Sequence, residues 1–177
     1  MRKLILKMEV TIDGFVGQAG RDPAWPVAYY DDELAAHEAD LLSRAGVHAM
    51  GRQAYEDMNP HWQASSGPIA DAMNDIPKAV FSSTLQDANW PETTVYRGEL
   101  QAEVERLKAQ DGAPILAHGG ARFAQGLTRL ELIDEYWLNV HPVAFGDGLP
   151  LFGGPVDLKL LSTKTFPSGT VALTYTG

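Results

Sequence analysis

The chain has no cysteine among its 177 residues, which excludes disulfide bridges, thiolate metal ligands and thiol nucleophiles at once. It also has no apolar run near the ~20 residues that would cross a bilayer, and the apolar segment after Met1 is too short for a signal peptide. Its five histidines show no ligand spacing such as HExxH. We therefore expect a cytoplasmic protein without a metal site.

Concentrated positive charge is missing as well. Lysine and arginine number 14 against 23 aspartates and glutamates, the formal net charge is -9, and the basic residues are scattered. Nucleic acids and anionic lipids are bound by concentrated basic surfaces. We expect neither as a partner, whereas a small anion held by one or two arginines is compatible with this composition.

The chain does contain alternating strand and helix patterns, in what we interpret as one domain over residues 1–177. A long glycine- and proline-rich loop (Ile12 to Pro26) follows the first strand, Pro60 is expected to end the second helix, and a hairpin around Pro167 to Gly169 closes the chain. This order predicts an α/β fold with a mainly parallel central sheet, helices on both faces and an antiparallel edge.

The segment "ILAHGGARFAQGL" joins a buried strand to a helix through Gly119 and Gly120. A helix that begins this way presents unpaired backbone N–H groups, and these favour an anion. Arg122 in the first turn opposes the helix dipole unless something negative binds beside it. The alternative is that the glycines only make a tight turn.

Two further strand ends resemble this junction. "VHAMGRQAY" passes through Gly51 to a helix with Arg52 in its first turn, and "VFSST" ends a strand in Ser82, Ser83 and Thr84. Serine hydroxyls contact phosphates but also cap turns. Because the carboxyl ends of parallel strands share one edge of a sheet, the three junctions together suit a ligand with several phosphates.

The order and spacing of several segments resemble a known family. These segments are "TIDGFVG", "MGRQAYE", "AVFSSTL", "ILAHGGARF", "LIDEYWLNVHPVAFGDGLPLF" and the final hairpin. The chain is similar to the dihydrofolate reductase-like reductases, especially to stand-alone proteins like the C-terminal reductase domain of bacterial riboflavin biosynthesis. The resemblance implies a three-layer α/β/α sandwich that binds NADPH, transfers hydride to a pterin-like or pyrimidine-like substrate, and forms a homodimer.

The resemblance also implies where the cofactor lies. It places Gly51 and Arg52 at the 2′-phosphate, Ser82 and Ser83 at the adenosine ribose, and Gly119, Gly120, Ala121 and Arg122 at the diphosphate. Two positions depart from the family pattern. Ala54 replaces a threonine that touches a phosphate, and His118 stands where small or aliphatic residues are usual.

The same resemblance also assigns residues to the reacting end of the site, which is the part where the substrate would meet the nicotinamide ring. Asp13 matches an Asp-Gly shared by riboflavin-type members, Asp31 lies near the position of a substrate-facing carboxylate, and Trp25 matches a tryptophan at the substrate ring. Each residue has a structural alternative, because Asp-Gly is a common turn, Asp31 can cap a helix and Trp25 can fill the core.

Two functional hypotheses follow. The first is an NADPH-dependent reductase with Asp13 and Asp31 as candidate catalytic residues and Trp25 against the substrate. The second is a nucleotide-binding protein of the same fold with little or no catalysis.

Overall fold

The computed structural model describes residues 1–177 as ten strands, five α-helices and one 3₁₀-helix (Trp25–Tyr29). The strands are β1 (Leu4–Thr11), β2 (Phe15–Gly17), β3 (Val47–Gly51), β4 (Lys78–Phe81), β5 (Thr93–Tyr96), β6 (Ile115–His118), β7 (Glu135–His141), β8 (Leu149–Pro150), β9 (Lys159–Thr165) and β10 (Val171–Thr176). The helices are α1 (Asp32–Ser43), α2 (Arg52–Ala64), α3 (Pro68–Asp75), α4 (Leu100–Lys108) and α5 (Ala121–Arg129).

Eight strands form one sheet in the order β5-β4-β3-β6-β1-β7-β10-β9. The strands from β5 to β7 pair in parallel, and β10 and β9 add an antiparallel hairpin beside β7. This arrangement confirms the predicted α/β fold, because helical crossovers join parallel neighbours and a short turn joins the final antiparallel pair.

Helices cover the two faces of the sheet. Leu4, Leu6 and Met8 of β1 pack on one face with apolar residues of α4 and α5. Ile5 points to the opposite face and packs with apolar residues of α1, α2 and α3. The alternation along β1 thus feeds two separate cores, as the period of a strand requires.

The second helix contradicts the prediction at Pro60. Helix α2 runs on to Ala64, because proline removes only one N–H and later contacts hold the final turn. Ser65 Oγ donates to the His61 carbonyl at 2.7 Å, and Asn74 Nδ2 donates to the Trp62 carbonyl at 2.9 Å. A further helix of eight residues, α3, follows a serine-glycine segment and was not predicted.

The carboxyl ends of four parallel neighbours meet at one edge of the sheet. In sheet order these ends are Phe81 of β4, Gly51 of β3, His118 of β6 and Thr11 of β1. Ligands of open parallel sheets bind at such an edge. All three predicted phosphate junctions therefore lie on adjacent strands, and the reacting end lies next to them.

Candidate functional site

The start of α5 has the form of an anion-binding turn. Gly120 occupies the N-cap position with φ +44° and ψ 126°, and no side chain caps the first turn. A Cβ atom at Gly120 would meet nothing within 4 Å, so the space in front of the backbone is open. The first N–H groups of a helix have no partner inside the helix. A phosphate can therefore approach these groups directly.

Arg122 is exposed in this first turn and makes no hydrogen bond or ion pair within the chain. An arginine near a helix N-terminus is repelled by the helix dipole. Its guanidinium becomes favourable there only when it shares a bound anion with the helix. A contact between Arg122 and a diphosphate stays a prediction.

The start of α2 is similar but less open. Gly51 is the N-cap and again no side chain caps the turn. A Cβ atom on Gly51 would lie 3.0 Å from Cβ of Phe123, so this glycine also permits α5 to pack closely against β3. Arg52 is exposed, pairs with Glu56 at 2.7 Å and donates to Thr84 Oγ1 at 2.9 Å.

The end of β4 is held by its own hydroxyl groups. Ser82 Oγ accepts hydrogen bonds from the backbone N–H groups of Thr84 at 3.2 Å and Leu85 at 3.0 Å, so it caps the turn. Ser83 is exposed and its hydroxyl has no partner in the chain. Through Arg52 and Thr84, this turn is connected to the start of α2.

The helix starts differ in a way that distinguishes the predicted cofactor edge from the rest of the molecule. Asp31 and Glu99 cap α1 and α4 with their carboxylates, and α1, α3 and α4 carry acidic residues in their first turns. Helices α2 and α5 have neither feature and begin with arginine in the first turn. A dinucleotide phosphate fits these two helix starts, because the chain leaves their N-terminal charge uncompensated.

Asp13 joins two loops at the end of β1. Its carboxylate accepts from Thr11 Oγ1 at 2.5 Å and from the backbone N–H groups of Phe145 at 3.0 Å and Gly146 at 2.7 Å. The Thr11 hydrogen bond, together with the backbone donors, lowers the pKa of Asp13. These contacts favour the structural alternative, and a catalytic role for Asp13 stays a prediction.

Asp31 is likewise occupied. Its two oxygens accept from the backbone N–H groups of Leu34 at 2.8 Å and Ser168 at 2.7 Å, which caps α1 and attaches it to the C-terminal hairpin. The hydrogen bond from Leu34 is the main reason that the pKa of Asp31 is lowered. A carboxylate held in this way does not favour proton transfer.

Trp25 lies in the core beneath the loop that follows β2. The residue is buried, its Nε1 donates to the Val16 carbonyl at 3.3 Å, and its ring packs edge-on against His141 and Phe145. The structure therefore favours the core-packing alternative for Trp25, and a contact with the substrate ring stays a prediction.

The sequence analysis missed a buried polar cluster beneath α1. The cluster is formed by Lys7, Glu9, Tyr30, Glu38, Asn139 and His141. Glu9 is its centre and accepts four hydrogen bonds: one from Lys7 Nζ, and others from Tyr30 Oη at 3.1 Å, Asn139 Nδ2 at 3.2 Å and His141 Nε2 at 2.5 Å. Three of these donors share Oε1 and only His141 lies at Oε2, so Oε2 keeps a further acceptor position.

The charges of this cluster stabilise one another. Burial alone would raise the pKa of Glu9, but Lys7 and His141 outweigh burial and lower it to about 2. Burial alone would lower the pKa of Lys7, but Glu38 and Glu9 outweigh it and hold that pKa well above its ordinary value. Glu9 is therefore a fixed anion rather than a proton donor at neutral pH.

One signal in the sequence points to this cluster. In the first strand, "LILKMEVT", charged residues occupy alternate positions at Lys7 and Glu9 within an otherwise apolar run. Alternation of this kind puts both charges on one face, where they need partners from a covering element. The partners Glu38 and Asn139 come from distant segments, so their meeting was not predictable from local pattern.

A cavity of about 320 Å³ lies beside the cluster, between α1 and the C-terminal hairpin. Its lining includes Glu38, Asn139 and Lys164. None of the residues predicted to bind the cofactor borders it. The cavity is therefore separate from the glycine junctions.

No helix in the structure has the combination of length and apolarity that a membrane crossing requires. No group of at least three histidine, aspartate and glutamate side chains is arranged to hold a metal ion.

Comparison with known proteins agrees with this architecture. The protein YyaP of Bacillus subtilis is 29% identical over 181 residues, covering 98% of this chain and 94% of its own. YwjB of the same organism is 26% identical over 168 residues, with 93% and 92% covered.

Solved structures show the same fold at low sequence identity. A putative riboflavin biosynthesis protein from Shewanella superposes with a TM-score of 0.77 at 20% identity, covering 98% of both chains. A pyrimidine reductase-like protein from Corynebacterium diphtheriae gives 0.74 at 14% identity, covering 99% of this chain and 91% of that one. A bifunctional deaminase and 5-amino-6-(5-phosphoribosylamino)uracil reductase from Thermotoga maritima gives 0.72 at 15% identity, covering 99% and 56%.

The match that decides membership spans nearly the whole chain. The family described as RibD C-terminal domain matches residues 2–172, from the start of the sheet to the final hairpin. The polypeptide therefore belongs to the RibD C-terminal domain family, with the α/β fold of its reductase-like structural neighbours.

Proposed function

We propose that this protein is an NADPH-dependent reductase that transfers hydride to a small heterocyclic substrate of the pterin or pyrimidine type. The observation that carries the proposal is the pair of uncapped, glycine-started helices, α2 and α5, on adjacent strands at one edge. Membership in a family with reductase-like structural neighbours supports the same chemistry.

Bound NADPH would supply the hydride, and the chain would supply position and charge. The open turn at Gly120 and the unpaired Arg122 would hold the diphosphate. Arg52 would face the 2′-phosphate, with Thr84 and Glu56 orienting its guanidinium. Ser83 would offer its unpartnered hydroxyl to the ribose.

The proton that follows the hydride comes from water in this proposal. The carboxylates near the site are held ionised, since the pKa values of Asp13, Asp31 and Glu9 are all lowered. The hydride would add to an electrophilic carbon of a C=N, C=C or C=O bond, the proton would add to the other atom of that bond, and NADP⁺ would leave.

A titration of the purified protein with NADPH and with NADH tests this assignment. Nicotinamide fluorescence and the emission of the four tryptophans report binding without requiring the substrate. The expected result is saturable binding with NADPH preferred over NADH. A folded protein that binds neither cofactor would overturn the reductase assignment.

One observation favours the second candidate, a nucleotide-binding protein with little catalysis. Lys7 and His141 lower the pKa of Glu9, so this carboxylate is held ionised and is not an available acid. NADPH binding without turnover over a broad panel of pterins, pyrimidines and imines would support this second candidate. Oxidation of NADPH by any of them would exclude it.

We also propose that the protein forms a homodimer through the C-terminal hairpin. Leu160 of the edge strand β9 is 50% exposed, and it lies beside the half-buried Tyr175 of β10. Exposed edge strands with apolar residues are sites of association. Light scattering is expected to give the mass of a dimer, and Leu160→Lys is expected to give monomers. A monomeric native protein would exclude the assembly.

The proposed cellular setting is the cytoplasm, which is where the proposed reaction would find reduced nicotinamide cofactor.

A further inference from the structure

Two buried histidines form a hydrogen-bonded chain across the middle of the sheet. His48 Nε2 lies 3.1 Å from the Ala72 carbonyl oxygen, and His118 Nε2 lies 2.8 Å from His48 Nδ1. His48 is on β3 and His118 is the last residue of β6, immediately before the glycines that begin the α5 turn. The function described above does not use either side chain.

The hydrogen-bond partners of the two histidines determine which of their nitrogen atoms carry hydrogen. A carbonyl oxygen can only accept, so His48 Nε2 must donate to Ala72. Burial lowers the pKa of His48 to about 4, so its ring is neutral at pH 7 and its Nδ1 is an acceptor. His118 Nε2 must then be the donor in the bond between the two rings.

Because His118 Nε2 is the donor, the other ring nitrogen of His118 carries no hydrogen when the ring is neutral. Burial, with the nearby His48 and Lys7, holds the pKa of His118 well below its ordinary value, so this ring is neutral too. With hydrogen on Nε2, its Nδ1 carries a lone pair and makes no hydrogen bond within the chain. His118 is only 5% exposed, so this acceptor is unpartnered on a side chain that is otherwise enclosed.

The unpartnered nitrogen is not sealed inside the protein. Only Trp62 Nε1 and Thr93 Oγ1 are fully buried polar side-chain atoms without a partner. His118 Nδ1 therefore retains contact with the surface. No hydrogen bond joins it to the neighbouring Lys7, whose ammonium donates to Glu9 and, at 2.5 Å, to Glu38.

We propose that His118 Nδ1 accepts a hydrogen bond from the carboxamide N–H of the nicotinamide ring, with His48 and Ala72 fixing the histidine in the accepting form. This inference rests on the proposed NADPH function. The ring of the cofactor follows its diphosphate, and His118 directly precedes the glycine turn assigned to that diphosphate. The histidine would be a positioning residue that orients the nicotinamide.

The contrast with Glu9 explains why His118 is chosen for this role. Glu9 already accepts four hydrogen bonds within the chain, three at Oε1 and one at Oε2. His118 has one acceptor position and no donor for it. An acceptor that is reachable from the surface and has no donor within the chain can exchange water for a ligand that supplies the donor.

Binding of two cofactor forms tests the proposal. Reduced 3-acetylpyridine adenine dinucleotide phosphate replaces the carboxamide by an acetyl group, which keeps the carbonyl and removes the N–H donors. The wild-type protein is expected to bind this analogue roughly threefold to tenfold more weakly than NADPH, the range of one net hydrogen bond. Binding is followed by tryptophan fluorescence, so no substrate is needed.

Variants distinguish loss of the His118 Nδ1 contact from a general loss of structure. His118→Leu is expected to bind NADPH and the analogue equally, because it has no acceptor. His118→Asn is expected to restore the preference for NADPH, since its amide can donate to His48 and accept from the ligand. His61→Leu, at an exposed histidine of α2, is the matched control and should leave the preference unchanged.

Nitrogen-15 NMR of the wild-type histidines gives a test that does not depend on variants folding. The free protein is expected to show His118 with hydrogen on Nε2 and a bare Nδ1, and NADPH is expected to shift the Nδ1 resonance as an accepted hydrogen bond does. The analogue is expected to leave that resonance unshifted.

The outcomes distinguish the two proposals. Equal binding of NADPH and the analogue by the wild type, or an Nδ1 resonance unmoved by NADPH, overturns the role of His118 and leaves the reductase assignment standing. A bare Nδ1 that responds equally to both cofactors indicates a retained water bridge to Lys7 and also overturns it. Failure of the wild type to bind either cofactor overturns both proposals.

Discussion

Two stretches of one sheet edge are built on opposite principles. At the ends of β4, β3 and β6, helix starts lack caps, Arg122 and Ser83 have no partner, and Gly120 faces open space. At the ends of β1 and β7, Glu9, Asn139 and His141 belong to a cluster in which the central carboxylate accepts four hydrogen bonds. The first stretch has donors and acceptors without partners in the chain. In the second stretch, most polar groups are hydrogen-bonded to one another.

This difference separates binding from structural support. Unsatisfied donors at a surface have water available and can exchange it for a ligand. Buried charges have no such alternative and must be paired within the fold. Unpartnered groups rather than charged ones therefore mark where a ligand is expected. At His118 the side chain is buried, and its Nδ1 has no hydrogen-bond partner in the chain.

Removing Glu9 from the buried polar cluster is expected to have the largest effect on stability. Glu9→Ala leaves Lys7 buried beside a single carboxylate and removes the acceptor of His141. Removing one partner of a buried ion pair costs about 3–5 kcal/mol in the free energy of unfolding. Chemical denaturation measures this loss, and Glu135→Gln, which weakens the pair with the exposed Lys3, is the control that is expected to lose far less.

The same cluster predicts a pH dependence of stability. The folded-state pKa of Glu9 is about 2, below its ordinary 4.5, so its ionised form stabilises the fold above pH 4.5. That contribution is lost as the pH falls from 4.5 towards 2. Glu9→Gln is expected to flatten this part of the stability curve. An acid limb identical to that of the wild type would contradict the ionised assignment.

Removing the unpartnered arginine is the next largest change, and it affects affinity rather than stability. Arg122→Ala is expected to weaken NADPH roughly 10- to 100-fold, the effect of losing a hydrogen bond to a charged phosphate. Arg52→Ala is expected to weaken NADPH much more than NADH, because its assigned partner is the 2′-phosphate. Arg129→Ala, in the last turn of α5, is the control, and an equal loss there would contradict the assigned site.

Two similar glycines allow the predicted cofactor edge to be compared with another part of the molecule. Gly120 and Gly67 are both helix N-caps with positive φ and open space at Cβ, but Gly67 begins α3 away from the predicted edge. Alanine at either position is expected to cost about 1–3 kcal/mol of stability through backbone strain. Only Gly120→Ala is expected to lower NADPH affinity in the titration.

The smallest expected effect concerns Asp31. Since its oxygens cap α1 and bind Ser168, Asp31→Asn is expected to lower the melting temperature slightly and leave NADPH oxidation unchanged once a substrate is found. A loss of turnover without a loss of stability would instead support the catalytic role that the resemblance assigned to Asp31.

The outcomes for individual elements show what local pattern can predict. The hairpin predicted around Pro167 to Gly169 is present between β9 and β10, because a turn depends on residues adjacent in the chain. The same reasoning failed at Pro60, where contacts from Ser65 and Asn74 hold the last turn of α2. A local rule about proline could not include those tertiary partners.

Residues adjacent in the chain were enough to predict the alternation of strands and helices apart from α3, together with the final hairpin and the glycine junctions. Which polar groups lack partners depends instead on the packing of distant segments. Glu9 and His118 lie on neighbouring strands, yet Glu9 meets His141, which is 132 residues away in the chain, and His118 meets His48, which is 70 residues away. Hydrogen-bond satisfaction is a property of packed neighbours, so folding had to bring those segments together before either role could be assigned.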